Sequence, residues 1–177
     1  SKTNMVVKDY APDAFEVIRR MYGLDHKGYL RMWLSPKLPT RAKDNSTMLY
    51  SEDERLILKV LTHTEARTLF ALLPDYSRHL CSNPRTTLVK FFGLHRLTRG
   101  HEEYYFTVFS NVFDPRYRLT EVYELKGSSA GRQVMVPNKP ILRRKATVLK
   151  DLDFNRKLWL DAATRTGFLD QLRADTA

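Results

Sequence analysis

The sequence predicts an α+β fold, a mostly antiparallel sheet flanked by helices. Three observations predict it. Apolar residues recur at helical spacing near both ends of the chain and once between; short apolar runs of strand length fill the middle; and brief turns join those runs. Antiparallel strands need only such short connections, whereas parallel βαβ units need a helix between successive strands.

Over residues 12–22, Phe15, Ile18 and Tyr22 fall on one helical face, with Pro12 suited to a first turn and Gly23 to a stop. Asp25 caps a second helix carrying Tyr29, Leu30 and Trp33, which Pro36 and Pro39 break. Residues 47–51 and 56–61, joined by Glu52, Asp53 and Glu54, form a hairpin that leaves Lys59 within a strand of Leu, Ile and Val. Thr64 caps a helix with Ala66, Leu69, Phe70 and Leu73 on one face, which Pro74 ends or kinks. Strands over residues 88–97, 104–112 and 119–125 follow as a meander, divided by the Arg99-Gly100 and Asp114-Pro115 turns. A further strand covers 146–149, and a helix spans 158–172.

The chain has 177 residues, of which 42% are hydrophobic and 11% aromatic, enough for a core and unlike the composition of disordered chains. No uncharged apolar run approaches the roughly 18 to 20 residues of a membrane-spanning helix. The single Cys81 allows neither an internal disulfide nor a thiolate zinc site, so a reducing, cytoplasmic setting is expected. Residues 1–7 show no secretory pattern. The net charge of +10 favours polyanionic partners: nucleic acid, anionic lipid headgroups or nucleotides. The excess is concentrated over residues 113–150, with nine basic residues against three acids. No Gly-x-Ser-x-Gly elbow, His-Glu-x-x-His helix or Walker lysine loop occurs, which argues against serine hydrolase, zinc protease and P-loop classes. His26, His63, His79, His95 and His101 lack metal-ligand spacing and read as structural or surface groups.

Several motifs run together in one order: Asp9-Tyr10-Ala11-Pro12, Leu56-Ile57-Leu58-Lys59, Asn83-Pro84-Arg85-Thr86, and Lys90-Phe91-Phe92-Gly93-Leu94-His95-Arg96. Asn111, Leu125-Lys126-Gly127-Ser128 with Gly131-Arg132, and Lys150-Asp151-Leu152-Asp153-Phe154 complete the series. In these the chain resembles the phosphatidylinositol phosphate kinases along nearly its whole length. The resemblance implies a single partial kinase domain, with residues of about 1–150 as the N-terminal lobe and about 151–177 opening the C-terminal lobe. Its catalytic and metal-holding acids are expected beyond Ala177, so this segment alone is expected to be inactive.

Phosphoryl transfer rests on positioning and charge stabilisation, for which a lysine near the nucleotide phosphates is one recurring part. Lys59 resembles the family's ATP-binding lysine; without the resemblance, a strand lysine reaching solvent is the simpler reading. Glu65 is placed to orient Lys59, or it is a first-turn acid favoured by the helix dipole. Lys43 and Ser46 match the phosphate-covering loop, although Ala42 and Asn45 stand where that loop carries glycines.

Lys126 and Arg132 resemble the residues that face the headgroup phosphates, or they are solvated cations beside a turn. Asp151 and Asp153, two apart, would share a face of a strand as a metal or polar-network pair, or be surface acids. Arg143, Arg144 and Lys145 form a membrane-facing basic run or a solvated loop. The implied function is ATP-dependent phosphorylation of a phosphatidylinositol phosphate headgroup, with Mg2+, on an anionic membrane surface at the inner face of membranes. A homodimer is compatible with it. The alternative is a degenerate kinase-like scaffold. A nucleic-acid module stacking bases on Tyr104, Tyr105 and Phe106 is disfavoured, because strand aromatics are more simply core.

Overall fold

The computed structural model describes residues 5–34, 36, 48–134 and 148–177. The chain divides into two compact units, Ser1–Pro115 with Thr166–Ala177, and Arg116–Arg165. The first carries strands β1 (Met5–Asp9), β2 (Met48–Tyr50), β3 (Leu56–Leu61), β4 (Phe91–Arg99) and β5 (Glu102–Ser110). They form one sheet in the order β1-β4-β5-β3-β2, antiparallel at every pairing. Helices α1 (Pro12–Met21), α2 (His26–Arg31) and α3 (His63–Ser82) flank it. The expected α+β class is the one that forms.

Strand β1 has no counterpart in the sequence reading. All five of its residues are exposed, so no alternation marks it. It exists because its backbone pairs with β4, from Met5 opposite Arg99 to Asp9 opposite His95. In α1 the helical spacing does identify the core face: Phe15 and Ile18 are 1% and 0% exposed. Each such burial contributes about 2 kcal/mol.

Helix α3 begins two residues earlier than expected, because Thr62 and not Thr64 is its N-cap. The Thr62 hydroxyl accepts from the Glu65 N–H at 3.2 Å, and the Glu65 carboxylate accepts from the Thr62 N–H at 2.7 Å. This is a reciprocal capping box, legible as Thr-x-x-Glu. Nor does Pro74 end the helix, which runs 20 residues. An interior proline costs about 3 kcal/mol. Leu73 and Leu80, 4% and 0% exposed, anchor the stretches at and beyond it in the core and hold them in one helix.

Cross-strand register defines two faces. Leu58, Val108, Phe106 and His95 share one; Lys59, Thr107 and Leu94 share the other. Helix α3 covers the Lys59 face, where Tyr76 meets Phe91 at 5.7 Å and His63 meets Tyr105 at 5.2 Å. On the opposite face α2 brings Tyr29 to His95. The same alternation puts Tyr105 on the opposite face from Tyr104 and Phe106, so the three do not form one stacking platform.

In the second unit β6 (Val122–Glu124) pairs with β7 (Val148–Lys150) in parallel. The expected meander therefore stops at β5. Strand β6 is shorter than residues 119–125, and its partner enters from 26 residues downstream, Val122 lying opposite Val148. A one-turn 3₁₀ helix, Asp151–Asp153, follows directly, so Asp151 and Asp153 do not sit in a strand. The last helix, α4, is Ala162–Thr176, later than the expected 158–172. Asp161 sets its start by accepting from the Thr164 N–H at 3.0 Å. Among the described residues, no helix is long and apolar enough to cross a membrane.

Candidate functional site

Two polar constellations emerge, one in each unit. The first is built where β3 turns into α3. Lys59 sits in β3 between Met48 of β2 and Thr107 of β5, and the turn at Thr62 reverses the chain. That reversal brings Lys59 Nζ to 3.1 Å from Glu65 Oε1. The capping box is what aims Glu65. Its Oε2 accepts from the Thr62 N–H and hydroxyl, at 2.7 and 2.9 Å, leaving Oε1 for the lysine. These bonds hold the Glu65 carboxyl below its usual range, the Thr62 N–H contributing most, then the Thr62 hydroxyl, then Lys59.

Lys59 keeps 32% of its side chain exposed. An ammonium has three donors, and Glu65 takes one, so the others can meet oxygens of a nucleotide's phosphates. The geometry joins the two readings of Glu65: it is a first-turn acid of α3 and it pairs with Lys59. Lys43 and Ser46 lie outside the described residues, as do Arg143, Arg144 and Lys145. Among the described residues, no group of three or more His, Cys, Asp or Glu could hold a metal ion.

The second constellation joins the turn after β6 to the 3₁₀ helix after β7. Asp151 is its centre. Its Oδ1 accepts from the N–H groups of Lys126 and Gly127, at 2.8 and 2.7 Å, and its Oδ2 from Arg132 Nε at 2.7 Å. Arg132 also donates from Nη2 to the Glu124 carbonyl. Gly127 at φ +66° gives the turn its left-handed step, a conformation a side chain would strain. The Asp151 carboxyl lies well below the usual carboxylate range. Arg132 is the main cause, with the two backbone N–H groups adding to it against the opposing effect of desolvation. Asp153 accepts from the N–H groups of Val134 and Lys150. Both acids thus stand in a polar network, one of the alternatives the sequence left open.

Lys126 and Arg132, which the sequence treats alike, are separated by burial. Arg132 is 8% exposed and committed to Asp151 and Glu124. The Lys126 side chain is 61% exposed, and its ammonium pairs with Glu124 at 3.1 Å. Residues the sequence reading passed over are as well connected. Asp175 of α4 takes the Thr86 hydroxyl and both the N–H and hydroxyl of Thr87, tying the Asn83-Pro84-Arg85-Thr86 motif to the last helix. His95 lies between Tyr29 and Asp9, 3.0 and 2.7 Å away. No local signal marks these partners, since they are 66 to 89 residues apart.

The chain is similar over nearly its full length to several known proteins. A phosphatidylinositol 4-phosphate 5-kinase 9 of Arabidopsis thaliana is 33% identical across 96% of this chain and 21% of its own length. A probable phosphatidylinositol phosphate kinase of Dictyostelium discoideum is 32% identical across 95% of this chain and 25% of its own. The phosphatidylinositol 4-phosphate 5-kinase its3 of Schizosaccharomyces pombe is 32% identical across 99% of this chain and 24% of its own. The chain thus spans a quarter or less of these relatives. The family model described as phosphatidylinositol-4-phosphate 5-kinase matches residues 34–177, more than half of the chain, and to that family this chain belongs.

Proposed function

We propose that the protein carrying this chain transfers the γ-phosphoryl group of ATP to the inositol headgroup of a phosphatidylinositol phosphate at a membrane surface. The carrying observation is the Lys59–Glu65 pair at 3.1 Å, a strand ammonium held by a helix carboxylate that is itself fixed by a capping box. In this reading Lys59 grips the nucleotide's phosphates and Glu65 is its positioning residue. Mg2+ would accompany the nucleotide. Lys126, exposed beside the Gly127 turn, offers a point charge to an anionic headgroup. Arg132 supports that turn through Asp151 and lends its field to it. The net charge of +10 suits docking on an anionic leaflet, where each nearby Lys or Arg contributes roughly 1 kcal/mol.

The test is turnover by the full-length protein on vesicles containing phosphatidylinositol 4-phosphate. Lys59→Met should abolish phosphoryl transfer with an unchanged far-ultraviolet circular dichroism spectrum. Turnover equal to the unsubstituted protein would remove the nucleotide role of Lys59. A full-length protein that binds such vesicles but turns over no ATP would be a scaffold and not a kinase.

A further inference from the structure

Between the first half of α3 and the sheet lies a groove of about 590 Å³ that neither Lys59 nor Glu65 lines. Its floor is Leu94 of β4 and Ala66 of α3, 1% and 4% exposed. Its walls are rings. Tyr10, which donates its backbone N–H to the Leu94 carbonyl, meets Phe70 edge-on at 5.8 Å and Tyr105 at 6.4 Å. Helical spacing groups Phe70 with Ala66 and Leu73 on one apolar face, and both of those are 4% exposed, but Phe70 is 49% exposed. The apolar face of α3 therefore runs past what the sheet covers, and the groove is where it comes out.

Charge narrows the choice of occupant. Arg67 lines the groove, it is exposed, and among the described residues it forms no ion pair. Lys8 is equally exposed and unpaired, and its ammonium stands 5.2 Å from the centre of the Tyr10 ring. No Asp or Glu among the described residues lines the groove. The acid nearest in structure to Tyr105, Glu103, accepts from its hydroxyl and is held by Arg96 at 2.9 Å. Aromatic rings with an arginine and without acids are the composition of protein interface centres, where large binding contributions concentrate. The half-exposed Phe70 makes this an open groove, suited to a side chain projecting from a peptide and unlike an enclosing small-molecule site.

We infer that this groove docks an acidic peptide segment of a partner protein. An aromatic side chain of the segment lies over Ala66 and Leu94 among the rings, and a carboxylate beside it pairs with Arg67. An aromatic is favoured over an aliphatic side chain because ring edges and faces attract each other beyond the area they bury. A basic segment is rejected, since it would meet Arg67 and Lys8 with no counter-charge between them. The groove is separate from the Lys59–Glu65 pair, so docking is read independently of phosphoryl transfer.

The inference is tested by fluorescence anisotropy on the full-length protein. The probes are fluorescein-labelled Gly-Asp-Glu-Phe-Glu-Asp-Gly and its counterparts with Tyr or Trp at the centre. Two controls replace the aromatic by Ala or every acid by Lys. The aromatic acidic peptides should bind, and each control should bind at least about tenfold more weakly, the worth of one buried aromatic side chain or one charged contact. Arg67→Glu should weaken binding about tenfold, and Ala71→Trp, which fills the groove from an exposed helix position, should abolish it. Circular dichroism of both variants should match the original protein, since neither site is buried. The inference fails if none of the three aromatic peptides binds at millimolar concentration, if either control binds as well, or if either folded variant binds unchanged. A groove that instead joins two copies of this chain, seen as Arg67→Glu dissociating a dimer with no peptide bound, also overturns it.

Discussion

Gly93→Ala should destabilise the first unit through the side chains of His95, two residues on, and Tyr29, which is distant in sequence. A Cβ built on Gly93 would overlap His95 Nε2 and sit 2.7 Å from the Tyr29 hydroxyl, the two atoms that bond each other. Neither ring has an easy escape, because His95 stacks on Phe106 at 4.9 Å and Tyr29 lies beneath Arg19. The backbone is clamped too: the Gly93 carbonyl accepts from the Thr107 hydroxyl at 2.8 Å, and the preceding carbonyl of Phe92 accepts from Arg19. The lost Tyr29–His95 bond costs about 1 kcal/mol. Forcing one or both rings off their rotamers adds roughly 1 kcal/mol each. The expected loss is therefore about 2–3 kcal/mol, read by urea denaturation followed through tryptophan fluorescence. Tyr29→Phe should cost about 1 kcal/mol on its own. In that background Gly93→Ala should cost about 1 kcal/mol less than in the original protein, since the hydroxyl it strikes and the bond it breaks are already gone. Simple additivity, or a Gly93→Ala loss under about 0.5 kcal/mol, would refute the steric reasoning.

Thr62→Ala should lower stability by about 1 kcal/mol, whereas Thr64→Ala should change it by a few tenths at most, a contrast that denaturation midpoints would reveal. Leu80→Ala, at a fully buried position beyond Pro74, should cost about 2–5 kcal/mol in the same assay. Asp175 has a carboxyl held well below its unfolded value of 3.8: burial alone would raise it, but the bonds from Thr86, Thr87 and His79 outweigh that effect. Its contribution is therefore present above pH 3.8 and is lost as pH falls from there towards the lowered native value, because the unfolded chain takes up the proton first. Asp175→Asn should flatten the fall in stability below about pH 4. An unchanged slope would show that the carboxylate is not what α4 contributes.

Local chemistry made much of this protein legible from the sequence. Helical spacing identified Phe15, Ile18, Ala66 and Leu73 as core residues, and the apolar run around Lys59 identified its strand, because these signals come from neighbours within a turn or two. The run of family motifs, an ordered pattern within the sequence itself, pointed to the kinase family. The Thr62–Glu65 box was equally local, and so was within reach of a more careful choice between Thr62 and Thr64.

What the tertiary structure alone decided are pairings between distant segments. Strand β1 forms only on β4, β6 finds its parallel partner 26 residues away, and α3 continues past Pro74 because buried leucines outweigh the proline. The same holds for the charged residues. Lys126 and Arg132 look equivalent in sequence, but Asp151 draws one guanidinium into the interior and leaves the ammonium outside. Arg19 and Arg20 are adjacent on α1, and only the three-dimensional packing buries one and leaves the other pairing with Glu16 at the surface. Burial sets the cost of an unpaired charge, and burial is a property of the assembled sheet and helices, not of any residue's neighbours along the chain.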